Sequence, residues 1–261
     1  MKRYGRIAVA SAFTPTYAAL LEEAKRVAMR CSAQLDVIHA SAFDAEKEAS
    51  FRAIVGPAVP IRWSEAETPA AAIANVVKEF GYDLLIAGAL HREDSDKPFT
   101  SGVARELMKR VPCDLLLIPG ASMEAHAIEH VIFAFEPGED CAGFLANAVN
   151  ALSPRKVTIV AAETPFAAAL AASRGEQAPD PRTWSEEVAE GLRSRCEVEV
   201  DTWIVASNTG YAVLDAVQGI GADLFVVRGG SSGHPLPMHL DWLYSVIPTR
   251  LLVTKESRFA S

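Results

Sequence analysis

The chain has 261 residues, half of them hydrophobic and 22% charged, with 16 Gly and 15 Pro. That composition excludes a disordered or fibrous chain, and the length suits one large domain or two small ones. The formal net charge is −8, with 25 basic residues against 33 acidic and no run of Lys and Arg, so neither a phosphate-tracking stripe nor a nucleic-acid partner is expected.

The first six residues, Met1 to Arg6, are basic, and Ile7 to Phe13 is apolar, which outlines a signal peptide. The apolar stretch is short, and Thr14-Pro15-Thr16 follows it without a small-residue cleavage pattern, so a first β-strand is the better reading. No stretch approaches the roughly 18 apolar residues of a membrane span, and no membrane partner is expected. Cys31, Cys113, Cys141 and Cys196 form no CxxC and are too sparse for a disulfide scaffold. They read as reduced thiols in a cytoplasmic protein.

Short apolar runs alternate with helical patterns. Ile7 to Ala10 is a strand, and Thr16 to Arg30 carries Leu20, Leu21, Ala24, Val27 and Ala28 at helical spacing. Leu35 to Ala40 and Val59 to Trp63 are the next strands. Thr68 then caps a helix with Pro69 at its first position, which runs through Phe80 and stops at Gly81. Asp83 to Ala87 is a fourth strand, about Gly102 to Arg110 a helix, and Asp114 to Ile118 a closing strand. Continuous apolar strands imply a parallel sheet covered on both faces.

The pattern then repeats. Val131-Ile132-Phe133-Ala134 echoes Ile7-Ala8-Val9-Ala10 at a shift of 124, and Asp223 to Val227 echoes Asp83 to Ala87 at 140. Pro248 to Val253 echoes Pro112 to Leu117 at 136. A gain of 16 residues therefore falls between the first two anchors, near Thr164 to Arg182, and a loss of 4 follows the Asp223 strand. The expected organisation is a first lobe over 1–120, a linker over 121–129 and a second lobe over 130–261, each ordered β-α-β-(α)-β-α-β-α-β.

That order, with strand, Gly-rich loop, helix, Pro and strand at its end, resembles the universal stress protein family (adenine nucleotide alpha hydrolase-like) once per lobe, over nearly the whole chain. The resemblance implies two tandem α/β lobes, each a five-stranded mostly parallel sheet flanked by helices. The nucleotide-binding branch of the family carries G-x2-G-x9-G-[ST] after the fourth strand, whose amides and helix N-terminus hold phosphates. Its first strand ends in an Asp that reads adenine or ribose. In the first lobe the loop length matches: the first Gly is Gly88, the second falls on His91 followed by Arg92, and the terminal pair is inverted as Ser101-Gly102, with Val103 next. Thr100, Ser101 and Gly102 still present hydroxyls and amides at a helix start. Arg92 and Lys97 add positive charge that Glu93, Asp94 and Asp96 largely cancel, and the Asp position falls on Ala12. In the second lobe the acid position falls on Glu136, the first Gly on Arg228, and the terminal pair near Pro237-Met238, with Gly229, Gly230, Ser231 and Gly233 lending backbone freedom. Neither lobe carries the complete motif.

Other constellations compete. Gly229-Gly230-Ser231-Ser232-Gly233 matches the G-x-S-x-G nucleophile elbow, but prolines follow where a helix is needed and no His follows Asp241. His126 and His130 are spaced for a metal on a helix face, and His234 and His239 flank two prolines; surface histidines are the reading adopted, and no metal ligands are assigned. The acidic loop His91 to Asp96 reads as a solvated charged loop rather than a cation site. Met238, Trp242, Leu243 and Tyr244 read as core. P-loop and dinucleotide fingerprints are absent.

The expected function is a non-catalytic stress-response protein that binds a small ligand or a protein partner. Two alternatives remain: an ATP- and Mg-binding switch on the remnant loop of one lobe, with weak hydrolysis at most, and a serine hydrolase using Ser231. No cofactor is assigned outright; ATP with Mg²⁺ is the candidate. Because universal stress proteins commonly dimerise through the last strand, the resemblance implies that the lobes pair within the chain through Leu115–Ile118 and Leu251–Thr254, with a further homodimer open. Each lobe's cleft is expected at the carboxyl ends of its strands, at the switch point of the sheet.

Overall fold

The computed structural model describes residues 4–89, 101–120, 127–173, 175, 177–206, 211–229 and 236–255. The chain forms two compact units, residues 1–125 with 244–253, and residues 126–243 with 254–261.

In the first unit, β1 (Arg6–Ala10), β2 (Gln34–His39), β3 (Ile61–Trp63), β4 (Leu84–Ala89) and β5 (Asp114–Pro119) alternate with α1 (Tyr17–Cys31), α2 (Ala45–Val55), α3 (Pro69–Phe80) and α4 (Gly102–Arg110). The strands lie in the order β3-β2-β1-β4-β5 and all run parallel. Ile7, Val9, Val37, Leu85 and Ile86 are buried completely or nearly so, as expected of strands covered on both faces. The helices start where the side chains dictate. Thr68 Oγ1 accepts the Ala71 N–H and Gly81 ends the helix at φ +62. Asp44 accepts the Glu46 and Lys47 N–H groups and starts α2, a helix with a faint pattern because only Phe51 and Val55 are buried. The strand β10 (Arg250–Thr254) lies antiparallel beside β5, with Leu251 opposite Leu117 and Val253 opposite Leu115. The strand that closes the second sequence repeat thus belongs mainly to the first unit.

In the second unit, β6 (His130–Phe135), β7 (Lys156–Glu163), β8 (Glu199–Ala206) and β9 (Leu224–Arg228) run parallel in the order β9-β6-β7-β8. They alternate with α5 (Ala142–Leu152), α6 (Pro165–Ser173), α7 (Pro181–Arg193) and α8 (Tyr211–Ile220), and a 3-10 turn spans Met238–Tyr244. The 16-residue gain is housed as α6 and the approach to α7, which Asp180 caps at Thr183. Trp242 and Leu243 of the 3-10 turn are buried.

Both units use one clamp to set the start of the central strand. Asp83 Oδ2 accepts the N–H groups of Gly5 and Arg6 at 2.7 and 2.9 Å. Asp223 Oδ2 accepts those of Glu129 and His130 at 3.0 and 2.9 Å. The partners are displaced by the same 124 and 140 residues as the sequence anchors. Gly81 and Gly221, two residues before each aspartate, both take a left-handed backbone, at φ +62 and +66. Local chemistry therefore repeats wherever the sequence repeats.

At the amino ends of the second unit's strands, His130 Nε2 lies 2.8 Å from Thr158 Oγ1. Burial, and secondarily the Lys156 charge, hold its pKa below the usual 6.5. The folded state therefore takes up this proton only at lower pH than the unfolded chain. Its contribution to stability is complete above 6.5 and is lost as pH falls through the depressed folded value. Urea unfolding of wild type and His130→Gln from pH 8 to 5 is expected to show wild type losing relative stability across that window; a pH-independent difference would refute it.

Candidate functional site

In the first unit the strand order reverses between β1 and β4, and parallel sheets open a crevice at such a point. A cavity of about 550 Å³ lies there. Ala10 closes β1, His39 closes β2, Gly88 lies near the end of β4, and Ser101 and Val103 start α4. Among the described residues, the lining carries no Asp, Glu, Lys or Arg.

Ser11 is the polar centre of this wall. Its N–H donates to the Ile38 carbonyl at 3.0 Å, and its own carbonyl accepts from His39 Nδ1 at 2.7 Å. A carbonyl only accepts, so Nδ1 is the donor of this bond. The Ser11 side chain is buried, and its hydroxyl has no partner among the described residues. His39 is packed edge-on against Phe51 and Trp63, which fixes its ring plane. At the opposite wall, Ser101 Oγ accepts the Ala104 N–H at 3.0 Å, and a side chain at Gly102 would meet open space. The first turn of α4, the positive end of its dipole, thus lines the cavity.

The corresponding end of the second unit carries a cluster of charged side chains. Glu136 follows β6, and Pro137-Gly138 turns the chain back so that the Glu139 N–H donates to the Glu136 carbonyl at 3.1 Å. Pro followed by Gly at φ +92 is the signature of a type II turn. Glu139 Oε1 in turn accepts the Glu136 N–H at 2.8 Å. Arg228, the last residue of β9, donates to Glu139 Oε2 at 2.9 Å and to the Asp140 carbonyl at 2.6 Å. Thr164 Oγ1 donates to Glu136 Oε1. His239 Nδ1 lies 4.0 Å from Glu136 Oε2. Next to this cluster, burial and then the Glu139 charge push the Cys141 thiol up to about 12, so it stays protonated.

No family model matches the chain, and no curated protein sequence does. Solved structures do match. A protein of unknown function from Pseudomonas aeruginosa PAO1 aligns over 99% of this chain and 95% of its own, with TM-score 0.71 and 13% identity. A universal stress protein from Archaeoglobus fulgidus DSM 4304 aligns over 96% of this chain and 98% of its own, with TM-score 0.60 and 14% identity. The chain has the universal stress protein fold. A Pseudomonas aeruginosa UCBPP-PA14 protein provisionally given that name aligns over 99% and 96%, with TM-score 0.71 and 14% identity.

On the universal stress protein fold the candidate residues separate. Gly88, Ser101 and Val103 lie together on the cavity wall, with Gly102 between the last two, and Ala12 lines the same cavity. Glu136 sits in the charged cluster of the second unit. Gly229 is buried just after β9 and donates its N–H to the Thr254 carbonyl at 2.8 Å. Arg228, at the place of the motif's first Gly, spends its charge on Glu139. His91, Arg92, Thr100, Gly230, Ser231 and Gly233 lie outside the described residues. Sequence reasoning missed Ser11, His39, Glu139 and the placing of His239. A signal existed for one of them, the Pro-Gly pair that folds Glu139 back onto Glu136.

Proposed function

We propose that this chain is a non-catalytic, small-ligand-binding protein of the universal stress protein type, built as a tandem repeat and acting in the cytoplasm. The cavity of the first unit receives an uncharged, largely apolar molecule. One observation carries the reading: among the described residues, a cavity of some 550 Å³ at the switch point has no charged lining side chain and one buried hydroxyl without a partner. Pockets of this size and character bury drug-sized ligands through apolar contact and orient them by a few polar groups. A triphosphate would bring several negative charges to a wall on which the described residues place no cation. The first turn of α4 supports the second reading, an ATP- and Mg-binding switch, because helix N-termini favour anions.

The test uses the uncharged fluorescent probe N-phenyl-1-naphthylamine, whose single N–H can donate to Ser11 Oγ. Saturable binding of one probe per chain is expected, unaffected by millimolar ATP with Mg²⁺. Ser11→Ala is expected to raise the stability of the free protein by about 1 kcal/mol, since it removes an unsatisfied buried group, and to weaken the probe. Displacement of the probe by micromolar ATP would replace this reading with the nucleotide switch. Absence of probe binding would refute it.

A further inference from the structure

The geometry points to a divalent-metal site in the second unit, made by Glu136, Glu139 and His239. It shares no residue with the ligand cavity proposed for the first unit.

Three sections of chain deliver the donors. Glu136 leaves the end of β6, the Pro137-Gly138 turn brings Glu139 back beside it, and the 3-10 turn carries His239 in from more than a hundred residues away. One donor atom of each lies within 4.8 Å of the others. Two carboxylates alone would mean little, but His239 adds an independent observation. Its side chain is only 2% exposed and faces Glu136 Oε2 from beyond hydrogen-bonding distance, at 4.0 Å. Its Nε2 has no partner among the described residues. The nitrogen on the Glu136 side is Nδ1, 4.0 Å from Oε2, and a cation among these three side chains would give this buried ring, one of whose nitrogens lacks a partner among the described residues, a polar bond.

The surrounding bonds hold the carboxylates for this purpose. Thr164 Oγ1 occupies Glu136 Oε1 and leaves Oε2 towards His239. The Glu136 N–H and Arg228 hold the two oxygens of Glu139, each of which retains a further lone pair. Partners of this kind orient metal ligands and tune affinity. Arg228 also explains how two carboxylates coexist without an ion, and its positive charge moderates affinity for one. Donors around a zinc-sized ion sit about 3.4 Å apart, so side-chain movements of about 1 Å close the site. One imidazole with carboxylates favours a first-row transition cation over Mg²⁺ or Ca²⁺, and three protein ligands leave a position open to water.

Cobalt(II) is the probe, because its visible absorption reports coordination directly. Full-length protein stripped with EDTA is titrated with Co²⁺ by absorption and with Zn²⁺ by calorimetry and thermal melting. One ion per chain and a rise in melting temperature are expected. His239→Gln and Glu136→Gln, checked for retained circular dichroism in EDTA, are each expected to weaken binding roughly tenfold or more and to lose the rise. Glu139→Gln serves as the third variant if His239→Gln unfolds. No saturable binding up to millimolar metal would overturn the site. So would binding that persists unchanged in both variants, which would place the ion on histidines elsewhere.

Discussion

Glu23→Ala is expected to lower the unfolding free energy of the first unit by about 3 kcal/mol, the low end of the cost of breaking a buried ion pair. Glu23 lies on α1 with only 7% of its side chain exposed. It meets Arg250 of β10 at 2.8 Å and Arg26, one turn on, at 2.6 Å. Arg250 is itself only 12% exposed. Removing the carboxylate leaves the Arg250 guanidinium largely buried, with the partly exposed Arg26 as its positive neighbour. The pair also has an organising role, since it ties the strand that arrives last in the chain to the first helix. Urea unfolding with hydrogen exchange at β10 and α1 measures the effect. The double variant Glu23→Leu with Arg250→Met should recover most of the loss, because it removes the more buried cation together with its partner and leaves only Arg26, a quarter of which is exposed. A cost below about 0.5 kcal/mol, as at exposed ion pairs, would show that water already screens the pair.

Ala10→Phe is expected to weaken the naphthylamine probe by about 100-fold, near 3 kcal/mol, while the fold persists. Ala10 ends β1 and faces the cavity, so a ring there enters open space rather than a packed core. Overpacking a filled core costs about 1–3 kcal/mol, and an empty cavity avoids most of that. Gly88→Leu provides a second obstruction from β4. Its Cβ would stand 3.4 Å from Leu20 Cδ2, a flexible side-chain end that can give way. Wild-type affinity in both variants would mean that the probe binds elsewhere, and the functional reading of the first unit would fail.

The strands were legible because their cause is local. A strand covered on both faces must be apolar throughout, and Ile7 to Ala10, Asp114 to Ile118 and Val131 to Ala134 are marked so in a few residues each. The repeat was legible for the same reason, since Asp83 and Asp223 perform one task at matching offsets. The helix α2 was harder to read, because Asp44 caps it but only two of its side chains are buried. The candidate site was legible in part. The loop-length match with the stress protein motif directed attention to Gly88, Ser101 and Val103, which do share one wall. It could not show that Ser11, an ordinary serine among alanines, is buried with no hydroxyl partner among the described residues.

The sequence by itself determined the elements, the repeat and the α/β class, because caps, turns and apolar runs act over a few residues. Tertiary structure alone decided the antiparallel register in which β10 meets β5, that the described residues of the first unit line a cavity without a charged side chain, and that His239 lies beside Glu136. The physical reason is common to all three. Register, cavity lining and donor geometry depend on distances between residues remote in the chain, and those distances exist only once the core has packed.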